Sequence, residues 1–109
     1  MAIQNIFVVG AGLMGSGIAQ NAITSGYTVT LNDQRQEALD RARAGIEKSL
    51  NRDVEKGRMA AEARDAALAR LSTDATMEGA RNADLVIEAI FENLEAKQAV
   101  FSALEDLCP

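Results

Sequence analysis

Apolar positions along the chain change period several times, and each change predicts an element. Ile3 to Val9 (IQNIFVV) ends in an unbroken apolar run and stops at Gly10, which predicts a short first strand. A helix is expected from Gly12 or Leu13 to about Thr24, stopping at Ser25-Gly26 with Gly26 as its C-terminal cap. Tyr27 to Asn32 (YTVTLN) alternates and is β-branched, hence a second strand with Asp33 at its end. From Gln36 to about Lys56, Leu39, Ala42, Ile46, Leu50 and Val54 form one stripe while Arg, Glu and Lys fill the other faces, as in a helix packed on one side. Gly57 ends it. Ala60 to Leu71 is Ala-rich and helical, Leu71 to Thr73 is a short third strand, and Thr76 to Arg81 is a short helical turn. Asp84 to Ile90 (DLVIEAI) is almost continuously apolar, the pattern of a strand buried on both faces of a parallel sheet. Leu94, Gln98, Phe101, Leu104 and Cys108 mark one face of a final helix.

Strands alternating with helices require crossover connections, and so an α/β fold with a parallel sheet and right-handed crossovers. At 109 residues the chain makes one domain. With 48% apolar and 25% charged residues it reads as soluble and globular. A net charge of −5 without a basic patch argues against nucleic acid. No apolar run reaches the length of a membrane span, and no basic leader precedes the first strand. The single cysteine, Cys108, cannot close an internal disulfide, which fits a cytoplasmic protein. There is no histidine and no cluster with metal-ligand spacing, so the usual neutral-pH acid/base and a zinc-type centre are both missing from these residues.

The candidate chemistry lies between the first strand and the first helix. FVVGAGLMGSGIAQ carries G-x-G-x-x-G at Gly10, Gly12 and Gly15. Alone that spacing is weak; after a strand, before a helix and inside a βαβ unit it is a dinucleotide cradle. Gly10 permits the tight turn, Gly12 lets a pyrophosphate approach the backbone, and Gly15 lets the helix lie close to the strand. The helix start near Leu13 and Met14 faces the anion with its partial positive charge. The bland alternative is a glycine-rich turn that holds nothing. Asp33 follows Gly12 by 21 residues at the end of the second strand, close to the ~20-residue spacing of an acid that takes the adenosine ribose hydroxyls. It would repel a 2′-phosphate and so favours NAD over NADP, although Arg35, two residues on, could pair with such a phosphate. A turn or helix-capping aspartate is the alternative, and capping could coexist with binding. These features make the expected architecture a Rossmann-type parallel sheet of about four strands, in the order 3-2-1-4 with flanking helices.

GAGLMGSGIAQ, VTLND with Gln34 after it, GIEKSL and DLVIEAIFENLEAK together resemble the N-terminal domain of the 3-hydroxyacyl-CoA dehydrogenases, including the short-chain 3-hydroxybutyryl-CoA enzymes, over essentially the whole chain. The resemblance implies NAD as cofactor, with the segment from Gly10 through Ala11, Gly12, Leu13 and Met14 to Gly15 on the pyrophosphate and Asp33 and Gln34 at the adenosine ribose. It implies that Ala89 and Ile90 line the cofactor and that Glu92 and Lys97 contact it; a solvated first helical turn is the plainer reading of the last two. Ser49 and Lys56 correspond to the family's coenzyme A contacts, though without the resemblance both are solvent-face residues. The family's catalytic histidine, its partner glutamate, a fifth strand with an Asn-Thr-Ser-Ser segment and a helical substrate and dimerisation domain have no counterpart in these residues. The chain is therefore expected to be a truncated NAD-binding domain that is inert alone, or else a free-standing nucleotide-binding module. An S-adenosylmethionine-type glycine loop is disfavoured by the glycine phase and the immediate helix, and a 3-hydroxyisobutyrate-type dehydrogenase by ENLEAK. Self-association is expected through an open fourth strand or the final helix.

Overall fold

The computed structural model describes residues 3–89. In chain order these form strand β1 (Asn5–Val9), helix α1 (Leu13–Thr24), strand β2 (Thr28–Asn32), helix α2 (Gln36–Glu55), helix α3 (Ala61–Ala69), strand β3 (Leu71–Asp74), a 3₁₀ turn (Glu78–Asn82) and strand β4 (Leu85–Glu88). All strand pairs are parallel and the sheet order is β3-β2-β1-β4, the order expected of a Rossmann sheet. The final helix expected beyond Ile90 lies outside the described residues.

Register explains the core. Ile6 pairs with Val29 and Leu85, and Val8 with Leu31 and Ile87. Because side chains alternate along a strand, this row points to one face of the sheet. There it meets Ile18, Ala19, Ala22 and Ile23 of α1, the α2 stripe of Leu39, Ala42, Ile46 and Leu50, and Ala67 of α3. None of the three α-helices has a side-chain bond at its N-cap; the cap residues are Gly12, Arg35 and Ala60. A good cap contributes about 1 kcal/mol, whereas fully burying one aliphatic side chain contributes about 1.5–3 kcal/mol. Among the described residues nine large side chains are essentially inaccessible, so burial and not capping decides where these helices lie. At their far ends α1 and α2 give way to Gly26 and Gly57, both at positive φ, and the Arg70 guanidinium donates to the Ile23 carbonyl at 2.9 Å to close α1.

The opposite row is Phe7, Thr30, Ser72 and Val86. Only Phe7 is buried there, with Gly79 of the 3₁₀ turn against its ring. This corrects the expectation that the fourth strand is buried on both faces. Val86 is 46% exposed and Glu88 is exposed, while Ile87 is buried. The turn also starts later than its sequence suggests. The Asp74 carboxylate accepts from the Thr76 amide and hydroxyl, both at 2.8 Å, which holds the residues after the strand end as a loop.

Among the described residues three carboxylates bind backbone amides, and this sets an acid limit to stability. Asp84 accepts from the Asn5 and Gln4 amides, each at 2.9 Å, and pins β1 to the start of β4. The Asn5 amide, then that of Gln4, holds its pKa below the usual aspartate value. The Thr76 amide, then the Thr76 hydroxyl, does the same for Asp74, and the Arg35 amide does so first for Asp33. Groups with depressed folded-state pKa values stabilise above the unfolded-chain value near 3.9 and lose that contribution as pH falls through the lower folded-state value. Urea midpoints are therefore expected to be flat from neutrality to about pH 5 and to fall below about pH 4. Asp84→Asn should lower the neutral midpoint and shrink the drop between neutral and acid pH. An equally steep acid limb in that variant would count against this role for Asp84.

Candidate functional site

The carboxyl ends of β1 and β2 open into a cleft of about 660 Å³. In an open α/β sheet this crevice is where ligands bind. Its base is Val9, Gly10, Ala11 and Gly12; Asn32 to Arg35 form one wall; Ala75, Thr76, Met77 and Ala89 form the other. The turn at its base is possible because Gly10 has φ of 104°, a conformation that L side chains rarely adopt. Its amide donates to the Asn32 carbonyl at 2.7 Å, binding the loop to the end of β2. Gly15 lies directly behind. A Cβ there would stand 1.7 Å from the Gly10 carbonyl oxygen, so the first helix runs against the loop with no space for a methyl group. Gly12, the N-cap of α1, offers no side-chain acceptor, which leaves the positive end of the helix to a ligand.

Asp33 is only 15% exposed at its side chain. One carboxylate oxygen accepts from the Ala11 amide at 3.1 Å; the other accepts from the Arg35 amide at 2.9 Å and faces the Arg35 guanidinium at 3.4 Å. It is a turn aspartate, but not a helix cap, since Arg35 occupies the N-cap of α2. The Arg35 amide is the first cause of its lowered pKa, so the carboxylate remains an anion well into acid. A fixed, ionised acceptor beside a bare backbone loop suits a polyhydroxylated ligand that carries phosphates.

The structure brings Gly10, Ala11, Gly12, Asp33, Gln34 and Ala89 together in this cleft. Met14 and Gly15 lie beneath it, with Met14 only 5% exposed and part of the core. Leu13 is 85% exposed and lines a separate groove between α1 and α2. Neither Ser49 nor Lys56 lines the cleft; the Ser49 hydroxyl accepts from Gln20 at 2.9 Å, and Lys56 is the exposed C-cap of α2. Ile90, Glu92 and Lys97 lie outside the described residues. Among those described, no group of three His, Cys, Asp or Glu could hold a metal, and no helix is long and apolar enough to cross a membrane.

Sequence reasoning passed over Asn32. It is the only buried polar residue among the described ones, at 3% exposure, and its amide nitrogen donates to the carbonyls of Asp74 and Thr76. These bonds fix the far wall of the cleft. The one available signal was an asparagine at the end of a strand, on the same face as Thr30. Asn32→Ala leaves two carbonyls without their donor and is expected to cost about 1–3 kcal/mol. Urea denaturation of the variant measures that loss; a midpoint equal to the parent's would show that the wall stands without Asn32.

Residues 5–109 match the family model described as 3-hydroxyacyl-CoA dehydrogenase, NAD binding domain. The chain is 43% identical over its full length to a probable 3-hydroxybutyryl-CoA dehydrogenase of Bacillus subtilis, of which it spans 38%. It is also 43% identical over 98% of its length to a 3-hydroxyadipyl-CoA dehydrogenase of Escherichia coli, of which it spans 22%. A crystal structure of 3-hydroxybutyryl-CoA dehydrogenase from Escherichia coli K12 superposes with a TM-score of 0.81 at 42% identity, covering all of this chain and 23% of that one. The chain thus spans well under half the length of each of these relatives.

Proposed function

The chain belongs to the 3-hydroxyacyl-CoA dehydrogenase family, as its NAD-binding domain, and from that premise we propose that the cleft at the ends of β1 and β2 is the NAD site of a dehydrogenase acting on (S)-3-hydroxyacyl-CoA thioesters. The observation that carries this reading is the approach of α1 to Gly10, where no side chain fits at Gly15 and Asp33 stands at the rim. The residues present fit the cofactor. Gly10 to Gly15 hold the pyrophosphate against bare backbone, and the Asp33 carboxylate accepts from the adenosine ribose hydroxyls. Gln34 and the wall fixed by Asn32 border the adenosine. Ala89 continues the lining, and Ile90, Glu92 and Lys97, outside the described residues, are proposed as further cofactor contacts. Bound NAD supplies the hydride acceptor for oxidation at C3 of the substrate. Ser49 and Lys56 hold the coenzyme A portion, a lysine at a helix end being suited to a phosphate.

The 109 residues contain no histidine, so the general base that would take the C3 hydroxyl proton is not among them. A polypeptide of these residues binds NAD without turning over substrate. Calorimetric titration with NAD tests the first half, and following NADH absorbance with 3-hydroxybutyryl-CoA tests the second; turnover above background would reject the assigned division of labour. A free strand edge adds a further expectation. β4 ends the sheet among the described residues, with Val86 half-exposed on it, and copies of the chain pair through this edge. Light scattering that returns a monomer at high concentration counts against that pairing. A reducing cytoplasm suits a domain with a single cysteine.

A further inference from the structure

The wall of the cleft opposite Asp33 is fixed on both sides of one residue. Before Met77, the Thr76 amide and hydroxyl donate to the Asp74 carboxylate, and the Thr76 carbonyl accepts from the Asn32 side-chain amide. After it, the Met77 carbonyl accepts from the Ala80 amide at 3.2 Å, at the start of the 3₁₀ turn. The Thr76 hydroxyl is thus engaged, and Ala75 and Ala89 are short, so Met77 is the longest side chain lining this wall. It is apolar yet 55% exposed. Leu13 and Val86 are the other exposed large apolar residues among those described, and neither lines the cleft. The rest of the cleft has its assignment: bare backbone for the pyrophosphate and the Asp33 carboxylate for the ribose. A polarisable thioether across from the ribose acid suits an aromatic base, with which sulfur makes favourable contacts.

We infer that Met77 is an oxidation site that controls cofactor binding: the adenine base lies against its thioether, and a peroxide that converts the thioether to the sulfoxide weakens that contact. This rests on the NAD reading of the cleft, which sets an aromatic base beside this wall. The chemistry balances without any other group of the protein. The sulfur lone pair attacks one peroxide oxygen, the S–O bond forms as the O–O bond breaks, and water leaves; sulfur is oxidised and the peroxide is reduced. The product is polar, and the base loses the apolar surface on which it packed. Exposure selects this methionine. Met14 is 5% exposed within the core, and Met59 is partly buried against it, so a peroxide in solution meets Met77 first among the described methionines. Bound cofactor covers the same sulfur. NAD therefore protects Met77 from oxidation, and oxidation opposes NAD.

The test treats the 109-residue chain with hydrogen peroxide, then with dithiothreitol to return Cys108 to the thiol. Peptide mass mapping of a timed reaction should show one oxygen added at Met77 ahead of Met59, and saturating NAD⁺ should slow the addition severalfold at Met77 alone. Calorimetry on the oxidised chain should return an NAD⁺ affinity lowered about tenfold, restored by methionine sulfoxide reductases. Met77→Leu keeps Met1, Met59 and Cys108, and the same treatment should change that variant's own NAD⁺ affinity by less than about twofold. An equal loss in treated Met77→Leu would assign the effect to another residue, and equal oxidation of Met77 with and without NAD⁺ would remove it from the base. Either result overturns the inference, as does unaltered affinity once Met77 is fully oxidised. The protection arm needs no variant and decides the matter if Met77→Leu does not fold. Failure of the untreated folded chain to bind NAD⁺ would instead overturn the cofactor reading itself.

Discussion

Gly15→Ala is expected to destabilise this domain by about 3 kcal/mol or more, although it adds one methyl group to a helix. Helix propensity alone predicts the opposite, since alanine is favoured over glycine by about 1 kcal/mol inside a helix. The geometry decides between them. The new Cβ would lie 1.7 Å from the Gly10 oxygen and 2.8 Å from its carbonyl carbon. Both are backbone atoms, so no rotamer change relieves the overlap. The loop cannot easily retreat either, because Gly10 already uses a positive φ and its amide is held by the Asn32 carbonyl at 2.7 Å. Instead α1 must move away from the sheet, and Ile18, Ala19, Ala22 and Ile23, all nearly inaccessible, lose packing with it. Gly17→Ala is the matched control. It lies in the same helix, is exposed and has nothing within 4 Å of the place its new methyl group would take, so it should stabilise by up to about 1 kcal/mol. Urea denaturation of the two variants side by side measures both signs. If Gly15→Ala proved as stable as Gly17→Ala, the close approach of helix to loop could not be what holds this turn together.

The same residues show what could be read in the sequence and what could not. The roles of Gly10 and Gly15 were legible because local spacing fixes a turn and a close approach, and the structure displays both as a backbone angle and a forbidden distance. The helical stripe of α2 was legible because period alone determines which face is buried. Asn32 was not, because its two acceptors lie 42 and 44 residues away and nothing near it in sequence indicates them. Val86 misled because an unbroken apolar run looks the same whether one or both faces are covered. Its exposure follows from register, which places it beside Phe7 on the face where the 3₁₀ turn covers Phe7 but leaves Val86 open. Asp33 was legible as an acid at a strand end. Its bond to the Ala11 amide, 22 residues back, was not, and that bond makes the acid and the glycine loop one unit.

That unit gives Asp33→Asn its diagnostic value. The substitution keeps the side-chain shape, and the amide oxygen can still accept from one of the two backbone amides now bound by the carboxylate. The fold should survive with a modest loss of stability. Ribose recognition should not, because one acceptor and one donor replace two anionic acceptors. A hydrogen bond to a charged group is worth about 1.5–3 kcal/mol, so NAD affinity is expected to fall roughly tenfold to a hundredfold. The acid dependence supplies a second readout. The Arg35 and Ala11 amides, with the Arg35 guanidinium, keep Asp33 ionised below the usual aspartate range, so binding to the parent should hold steady as pH falls from neutrality and weaken only as that lowered pKa is approached. The asparagine variant has no such group to titrate, and any acid limb due to Asp33 should vanish from it. Calorimetry at several pH values separates the outcomes: a folded Asp33→Asn chain with parental NAD affinity would remove Asp33 from the cofactor site, while a weakened one that keeps the parent's acid limb would place the titrating group elsewhere.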